Sequence, residues 1–305
     1  MRIVRGPASY PPDARGAAVG LGVFDGIHRG HRAILGTAVT RARTDALEAV
    51  ACTFDRHPLE TLEPGRAPLP IATLDERLAL IAATGIDATV VLEFDRALAS
   101  MEPEAFVKDV LVERLHARAI IVGFNHRFGR GARGNAALLA DLARPLGFQT
   151  HVVPPLAIDG VTVSSSEVRS ALGRGDVEQA ARFLGRPYDV PGSVVRGAER
   201  GRALGFPTAN LAPDRPVLVS PGVYACRLDA GEGERGAVTN VGVRPTFGES
   251  TIAVETHVLD FAGDLYGRRV RVIFVARLRD ERRFPSVDAL REQIARDVQA
   301  ARARL

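Results

Sequence analysis

The sequence predicts an α/β domain built on a parallel sheet, followed by a small closed antiparallel β-barrel and a C-terminal helix. Three observations carry this. Over the first half of the chain, apolar runs of strand length alternate with stretches of helical spacing. After the turn Gly185-Arg186-Pro187 the alternation stops, and short β-rich runs follow at spacings of about ten to twenty residues. Val287 to Ala301 then has the periodicity of an amphipathic helix. The turn at Gly185 sets the expected domain limits, 1–185 and 186–305.

Taken in order, Ala17 to Phe24 is an apolar run with glycines at points of close backbone approach, and reads as a buried strand. Asp25-Gly26 turns the chain, and Arg32 to Thr40 continues with helical spacing. Glu48 to Phe54 is a second strand. Thr73 to Thr84 is a helix, opened by a Thr73/Glu76 capping box and closed by Gly85. Ala88 to Phe94 is a strand, Pro103 to His116 a helix, Ala119 to Val122 a strand, Asn135 to Leu146 a helix and Gln149 to Val153 a strand. Such a sheet is covered on both faces, and its ligands bind outside the carboxyl ends of its strands. Asp176 to Leu184 is a short helix. The barrel strands are expected at Asp189–Val195, Gly222–Leu228, Gly236–Val243, Ala253–Asp260 and Arg269–Leu278.

The 305 residues suffice for two cores, and an apolar fraction of 46% with 25% charged residues is ordinary for a globular protein. No apolar run nears the ~20 residues that span a membrane, and the N-terminus has no signal-peptide core. Two distant cysteines, Cys52 and Cys226, exclude a disulfide framework and a cysteine-based zinc site, so the cytoplasm is expected. The basic residues are almost all arginine; Lys108 stands alone in a helical stretch without glycine, so there is no P-loop. A net charge of +4, dispersed along the chain, gives no case for nucleic acid.

The carboxyl ends of the expected strands carry the polar residues. His28 and His31, three apart, share one face at the start of a helix. Beside unpaired backbone N–H groups and the positive end of the helix dipole they suit a polyphosphate. Metal binding would call for a third ligand and usually i,i+4 spacing. The second strand ends in Asp55-Arg56-His57-Pro58. The fourth is followed by a glycine-flanked aromatic loop, Gly123-Phe124-Asn125-His126-Arg127-Phe128-Gly129. Ser164, Ser165 and Ser166 cap a further helix that carries Arg169, whose N–H groups and guanidinium can hold phosphates.

These strings resemble a known family. Gly22-Val23-Phe24-Asp25-Gly26-Ile27-His28-Arg29-Gly30-His31 contains the HxGH signature of the nucleotidylyltransferase superfamily. It is closer still to the FMN adenylyltransferase module of bacterial bifunctional riboflavin kinase/FAD synthetases. Gly123 to Gly129 resembles that family's G-x-[DN]-F-x-FG loop, with His126 where Phe is usual. Val163 to Arg169 resembles its I-S-S-T-x-I-R motif, with Ser166 where Thr is usual. The resemblance implies a Rossmann-like first domain in which Gly22, Phe24, Asp25, His28, His31, Asn125, Ser164, Ser165, Ser166 and Arg169 bind ATP. His28, His31 and Arg169 would be catalytic, and Phe54, His57 and Phe128 would face the flavin.

In the second region, Gly201 to Leu211 resembles the riboflavin kinase signature GRxLGFPTANL along its full length. Thr208 and Asn210 offer two neutral oxygens at i,i+2 spacing, suited to Mg²⁺ whose other ligands come from ATP and water. The resemblance implies a Greek-key-like barrel in which Gly197, Gly201, Arg202, Gly205, Thr208 and Asn210 bind ATP. A glutamate on a barrel strand is more often outward-facing and solvated. Val254 to Phe261, however, resembles the family's E-x-H-x-x-x-F strand, which makes Glu255 the expected base. Thr239 to Gly248 resembles the NxGxxPT loop, and Asp280 to Phe284 a flavin-side lip with Arg282 and Phe284.

The resemblance covers nearly the whole chain, with its motifs in family order. It implies that riboflavin and ATP give FMN, and that FMN and ATP give FAD, with Mg²⁺ assisting. The expected partners are these small molecules, without nucleic acid or membrane; self-association is left open. Three other readings compete: a nucleotidylyltransferase for another phosphate acceptor with an inactive flavin-binding barrel, a flavin-binding regulator, and a DNA-binding regulator. The kinase signature opposes the first, the intact polar motif residues the second, and the lack of a helix-turn-helix pattern the third.

Overall fold

The computed structural model describes residues 1–11, 15–197, 201, 204–246 and 249–305, the side chains of 244–246 and 249–251 excepted. The chain divides into two compact units, Met1–Ser165 and Ser166–Leu305.

The first unit holds a six-stranded sheet of order β1-β4-β3-β2-β5-β6, parallel throughout. Its strands are β1 (Arg2–Arg5), β2 (Ala17–Leu21), β3 (Glu48–Phe54), β4 (Ala88–Leu92), β5 (Ala117–Gly123) and β6 (Gln149–Val153). Five were expected. β1 was not, because only Val4 of its four residues is buried and so short a segment has no readable period. The strands read as continuous apolar runs because both faces are covered. Ala17, Val19 and Leu21 of β2 pack on one side with Phe106 and Leu111. Ala18 packs on the other with Ile34, Leu35 and Ala38 of helix α1 (Arg29–Thr44). Leu35 is fully buried, which contributes about 1.5–3 kcal/mol.

The helix Leu74–Ala82 has the expected capping box, with Thr73 accepting from the Glu76 N–H and Glu76 accepting from the Thr73 N–H. The helix expected over 103–116 instead starts as a short α-turn, Pro103–Ala105, and continues as a wider π-helical stretch, Phe106–Arg114. His116 ends it in the left-handed region, at φ 51°.

The second unit opens with the rest of the helix Ser165–Gly173 and the helix Val177–Leu184, the latter capped by Asp176. The Arg277 guanidinium donates to the Arg174 carbonyl and to Ser220 Oγ, both at 2.8 Å. That staple groups these helices with the barrel, so the compact unit begins earlier than the turn at Gly185. The barrel is closed and antiparallel, in the order β10-β13-β12-β11-β14-β9, with β9 pairing back to β10. Its strands are β9 (Asp189–Val195), β10 (Ala209–Pro213), β11 (Gly222–Asp229), β12 (Glu234–Thr246), β13 (Glu249–Val258) and β14 (Arg269–Arg279), β7 (Ala157–Ile158) and β8 (Val161–Thr162) being a short antiparallel ladder of the first unit. β10 overlaps the end of the string Gly201 to Leu211, where turn residues mask its period.

Inside the barrel, the Thr239 and Thr256 hydroxyls share a 3.0 Å hydrogen bond, and Tyr188 and Tyr224 flank Phe274. Outside, Val223, Ala225, Val238 and Ala276 pack with Ala301 of the C-terminal helix Val287–Arg302. No described helix is long and apolar enough to cross a membrane.

Candidate functional site

In the first unit, a cavity of about 720 Å³ opens at the carboxyl ends of the parallel strands. Chain reversal after β2 forms its floor. Phe24 and Ile27 lie at φ 55° and 42°, a left-handed conformation costly for non-glycine residues, and Gly26 at φ 75°. Burial of the Phe24 ring and the Asp25 carboxylate, which accepts the Ile71 and Ala72 N–H groups, hold this turn. A Cβ on Gly26 would stand 2.7 Å from Ile71. Asp25 therefore braces the turn and is not among the cavity's lining residues.

His28 is the N-cap of α1, not part of its first turn: its Nδ1 accepts the His31 N–H at 3.2 Å. The two rings stack with centroids 3.6 Å apart and planes 19° from parallel. Gly30 leaves room for this, since a Cβ there would lie 3.1 Å from the His28 ring. The Phe24 ring meets His31 edge-on at 5.4 Å. Burial first, then the neighbouring His28 and Arg77, push the His31 pKa well below the usual value, so this imidazole is neutral. His31 Nδ1 is buried without a partner among the described residues.

Gly22, Phe24, His28, His31, Asn125, Ser164 and Ser165 all line this cavity, as do Phe54 and Phe128 on its aromatic side. Ser165 Oγ donates to the Asp25 carbonyl at 3.0 Å, tying the start of its helix to the histidine turn. Ser166 and Arg169 continue that helix in the second unit. His57 caps the helix Pro58–Leu62, with Nδ1 accepting from the Leu59 N–H, and does not line the cavity. Sequence reasoning missed Phe94, which lines the cavity and meets Phe54 edge-on at 5.2 Å. Its place at the carboxyl end of an apolar strand was the available signal. His126 lies parallel to Phe128 at 5.9 Å, and burial pushes its pKa down to about 4.

In the second unit, strand register assembles the polar residues. Glu255 on β13 lies directly opposite Asn210 on β10 and Asn240 on β12. Residues opposite one another in antiparallel strands share a face, so the three form one row across the sheet. Thr256 and Thr239 point to the other side, into the barrel. Asn240 Nδ2 donates to Glu281 Oε1 at 3.4 Å. Asn210 is 9% exposed. A Cβ on Gly197 would meet its amide at 2.3 Å, and one on Gly201 would meet the Phe206 carbonyl at 2.4 Å. These glycines let the loop backbone rest on the residues that present Thr208 and Asn210.

Thr208 lines a hollow of about 500 Å³ together with Arg196, Pro207, Thr256, Phe261 and Tyr266. The His257 ring nitrogen Nδ1 lies 2.8 Å from the Pro207 carbonyl, which fastens this segment to β13. Gly205 sits in the left-handed region at φ 81°. Phe284 is flanked by the Arg279 and Arg282 guanidinium groups at 5.7 and 4.9 Å. Arg202, Phe247 and Gly248 lie outside the described residues. Among the described residues, no cluster of three or more His, Cys, Asp or Glu side chains is suited to a metal.

Both halves match known families. A family model described as FAD synthetase matches residues 10–167, and one described as riboflavin kinase matches residues 184–305. The bifunctional riboflavin kinase/FMN adenylyltransferase of Escherichia coli strain K12 is 38% identical over 305 residues, covering 99% of this chain and 97% of its own length. The protein of the same description from Haemophilus influenzae is 34% identical, covering 99% of both chains. A crystal structure described as a macrolide-efflux protein from Streptococcus pneumoniae superposes with a TM-score of 0.91 at 31% identity, covering 99% of both chains.

Proposed function

The chain belongs to the bifunctional riboflavin kinase/FMN adenylyltransferase family, and from that premise we propose how its residues divide the work. It phosphorylates riboflavin to FMN with ATP, and adenylylates FMN to FAD with release of pyrophosphate. Adenylyl transfer is assigned to 1–185 and phosphoryl transfer to 186–305, a division that the two family matches support.

In adenylyl transfer an FMN phosphate oxygen attacks the α-phosphorus of ATP and the bond to pyrophosphate breaks. The nucleophile is already anionic, so no general base is required, only positioning and stabilisation of charge. His28 and His31, stacked in the cavity floor, carry this assignment. His31, held neutral, donates a hydrogen bond to phosphate without a desolvated charge of its own. The N–H groups at the head of α1, Asn125 and the Ser164–Ser166 segment with Arg169 complete the polyphosphate contacts. Phe54 and Phe128 take the flavin ring, and His57, which does not line the cavity, caps the helix that follows β3.

In phosphoryl transfer Glu255 accepts the proton of the ribityl hydroxyl as its oxygen attacks the γ-phosphorus and ADP leaves. Its alignment with Asn210 supports this role. Thr208 and Asn210 supply hard neutral oxygens fit for Mg²⁺, which neutralises phosphate charge when bound. Gly197, Gly201, Arg202 and Gly205 shape the loop over the phosphates, and Arg282 and Phe284 form the flavin-side lip. Both reactions consume ATP, which supports a cytoplasmic enzyme.

A chromatographic time course tests this directly. With riboflavin, ATP and Mg²⁺, FMN appears before FAD; starting from FMN, FAD appears alone. A chelator in excess stops the first reaction. No flavin product in either assay would reject the function.

A further inference from the structure

Arg77 stands in the middle of the helix Leu74–Ala82 and is 5% exposed. A buried guanidinium is expensive unless its donors are satisfied. Here both Nη groups donate to backbone carbonyls at the carboxyl ends of two neighbouring strands, while Nε is buried without a partner among the described residues. Nη1 donates to the Val23 carbonyl at 2.7 Å, just beyond β2. Nη2 donates to the Phe54 carbonyl at 2.5 Å and the Asp55 carbonyl at 3.4 Å, at the end of β3. Thr53 Oγ1 donates to the same Val23 carbonyl at 3.0 Å.

The carbonyls that Arg77 holds belong to the segments that make the site. Val23 precedes the strained Phe24 turn that leads to His28 and His31. Phe54 is a wall of the same cavity. We propose that Arg77 is a positioning residue of the adenylyl-transfer site, whose fork fixes the histidine turn against the flavin-side wall. This rests on the adenylyltransferase reading given above. Arg77 touches no reactant: it is absent from the cavity lining and acts through the backbone.

A second effect follows from its charge. Burial is the largest influence on His31, followed by the charge of His28 on its own turn and of Arg77 on the helix Leu74–Ala82, with Phe24 edge-on. Arg77 in turn is balanced by Asp25, Asp55 and Glu60. Its positive charge opposes protonation of His31, so removing it raises the pH at which that imidazole takes up a proton.

The test uses the full chain with Arg77→Met and Arg77→Lys. Three quantities are measured: kcat and KM for FAD formation from FMN across pH 6–9, riboflavin phosphorylation by the same preparations, and the NMR titration of the His31 imidazole. R77M is expected to lose on the order of a hundredfold in kcat for FAD formation, the scale of a misplaced site, with kinase turnover within about twofold and the His31 titration moved to higher pH. R77K keeps the charge without the fork, so its His31 titration stays near that of the unchanged chain while kcat remains depressed. Unchanged FAD formation in R77M, an unmoved His31 titration, or parallel loss of both activities in both variants would each overturn the proposal. If the unchanged chain makes no FAD, the function itself has failed, and the His31 titration then decides the Arg77 proposal alone.

Discussion

His28 Nδ1 accepts the backbone N–H of His31 while its ring lies 3.6 Å from the His31 ring. One side chain therefore serves as helix cap and as cavity floor, and the two roles separate by substitution. His28→Ala removes both: FAD formation is abolished, riboflavin phosphorylation persists, and stability falls by about 0.5–2 kcal/mol. His28→Asn retains a capping oxygen, so it recovers the stability but not the activity. Assay of both products, with urea melts of each variant, checks this. Equal loss of both activities in both variants would reject separate sites.

Acid sensitivity is written into two buried rings. The folded-state pKa values of His126 and His31 lie below the usual 6.5, chiefly through burial. Above pH ~6.5 both folded and unfolded chains are neutral there, and no difference arises. As the pH falls below ~6.5, the unfolded chain takes up protons that the folded rings refuse, so stability falls until the folded pKa is reached. For His126, about 4 when folded, the loss is on the order of 3 kcal/mol at most. His126→Phe should thus narrow the stability gap between pH 7.5 and pH 4.5 in urea melts. An unchanged gap would show that His126 is not a source of the acid loss.

Glu255→Gln removes the proton acceptor and keeps the row with Asn210 and Asn240. FMN formation should drop by about 10²–10⁴, with FAD formation from supplied FMN unchanged. Retained kinase turnover would remove Glu255 as the base.

Gly197→Ala puts a methyl group 2.3 Å from the Asn210 amide. The expected result is a higher KM for ATP in the kinase reaction, with adenylyl transfer unaffected. Steady-state kinetics of the two reactions on one preparation check it.

Asp297 on the C-terminal helix receives Arg279 Nε at 3.0 Å and Nη2 at 2.7 Å, and is 6% exposed against 20% for the arginine. Asp297→Ala leaves a half-buried cation without its carboxylate, at a cost of about 1–3 kcal/mol. Because Arg279 also flanks Phe284, the KM for riboflavin should rise as well. A melt and a kinase titration measure the two effects together.

By itself the sequence determined the two-part architecture, most strand and helix positions, and the motif residues at the strand ends. Those features are local: period, capping boxes, turns and signature strings lie within a few neighbouring residues. Tertiary structure decided what depends on distant contacts. The edge strand β1 forms because β4 lies beside it, and β10 because β9 and β13 do. His28 became a cap with its ring on His31 because the left-handed turn before it is braced by Asp25, whose carboxylate accepts the Ile71 N–H from a loop 46 residues away. The alignment of Asn210, Glu255 and Asn240 is a matter of register between strands far apart in sequence. Arg77, an unremarked arginine in a helical pattern, gained its place only when two strand ends were brought to its guanidinium. No local spacing encodes that meeting, because the cost of burying the charge is offset only by hydrogen bonds to carbonyls that separate strands contribute.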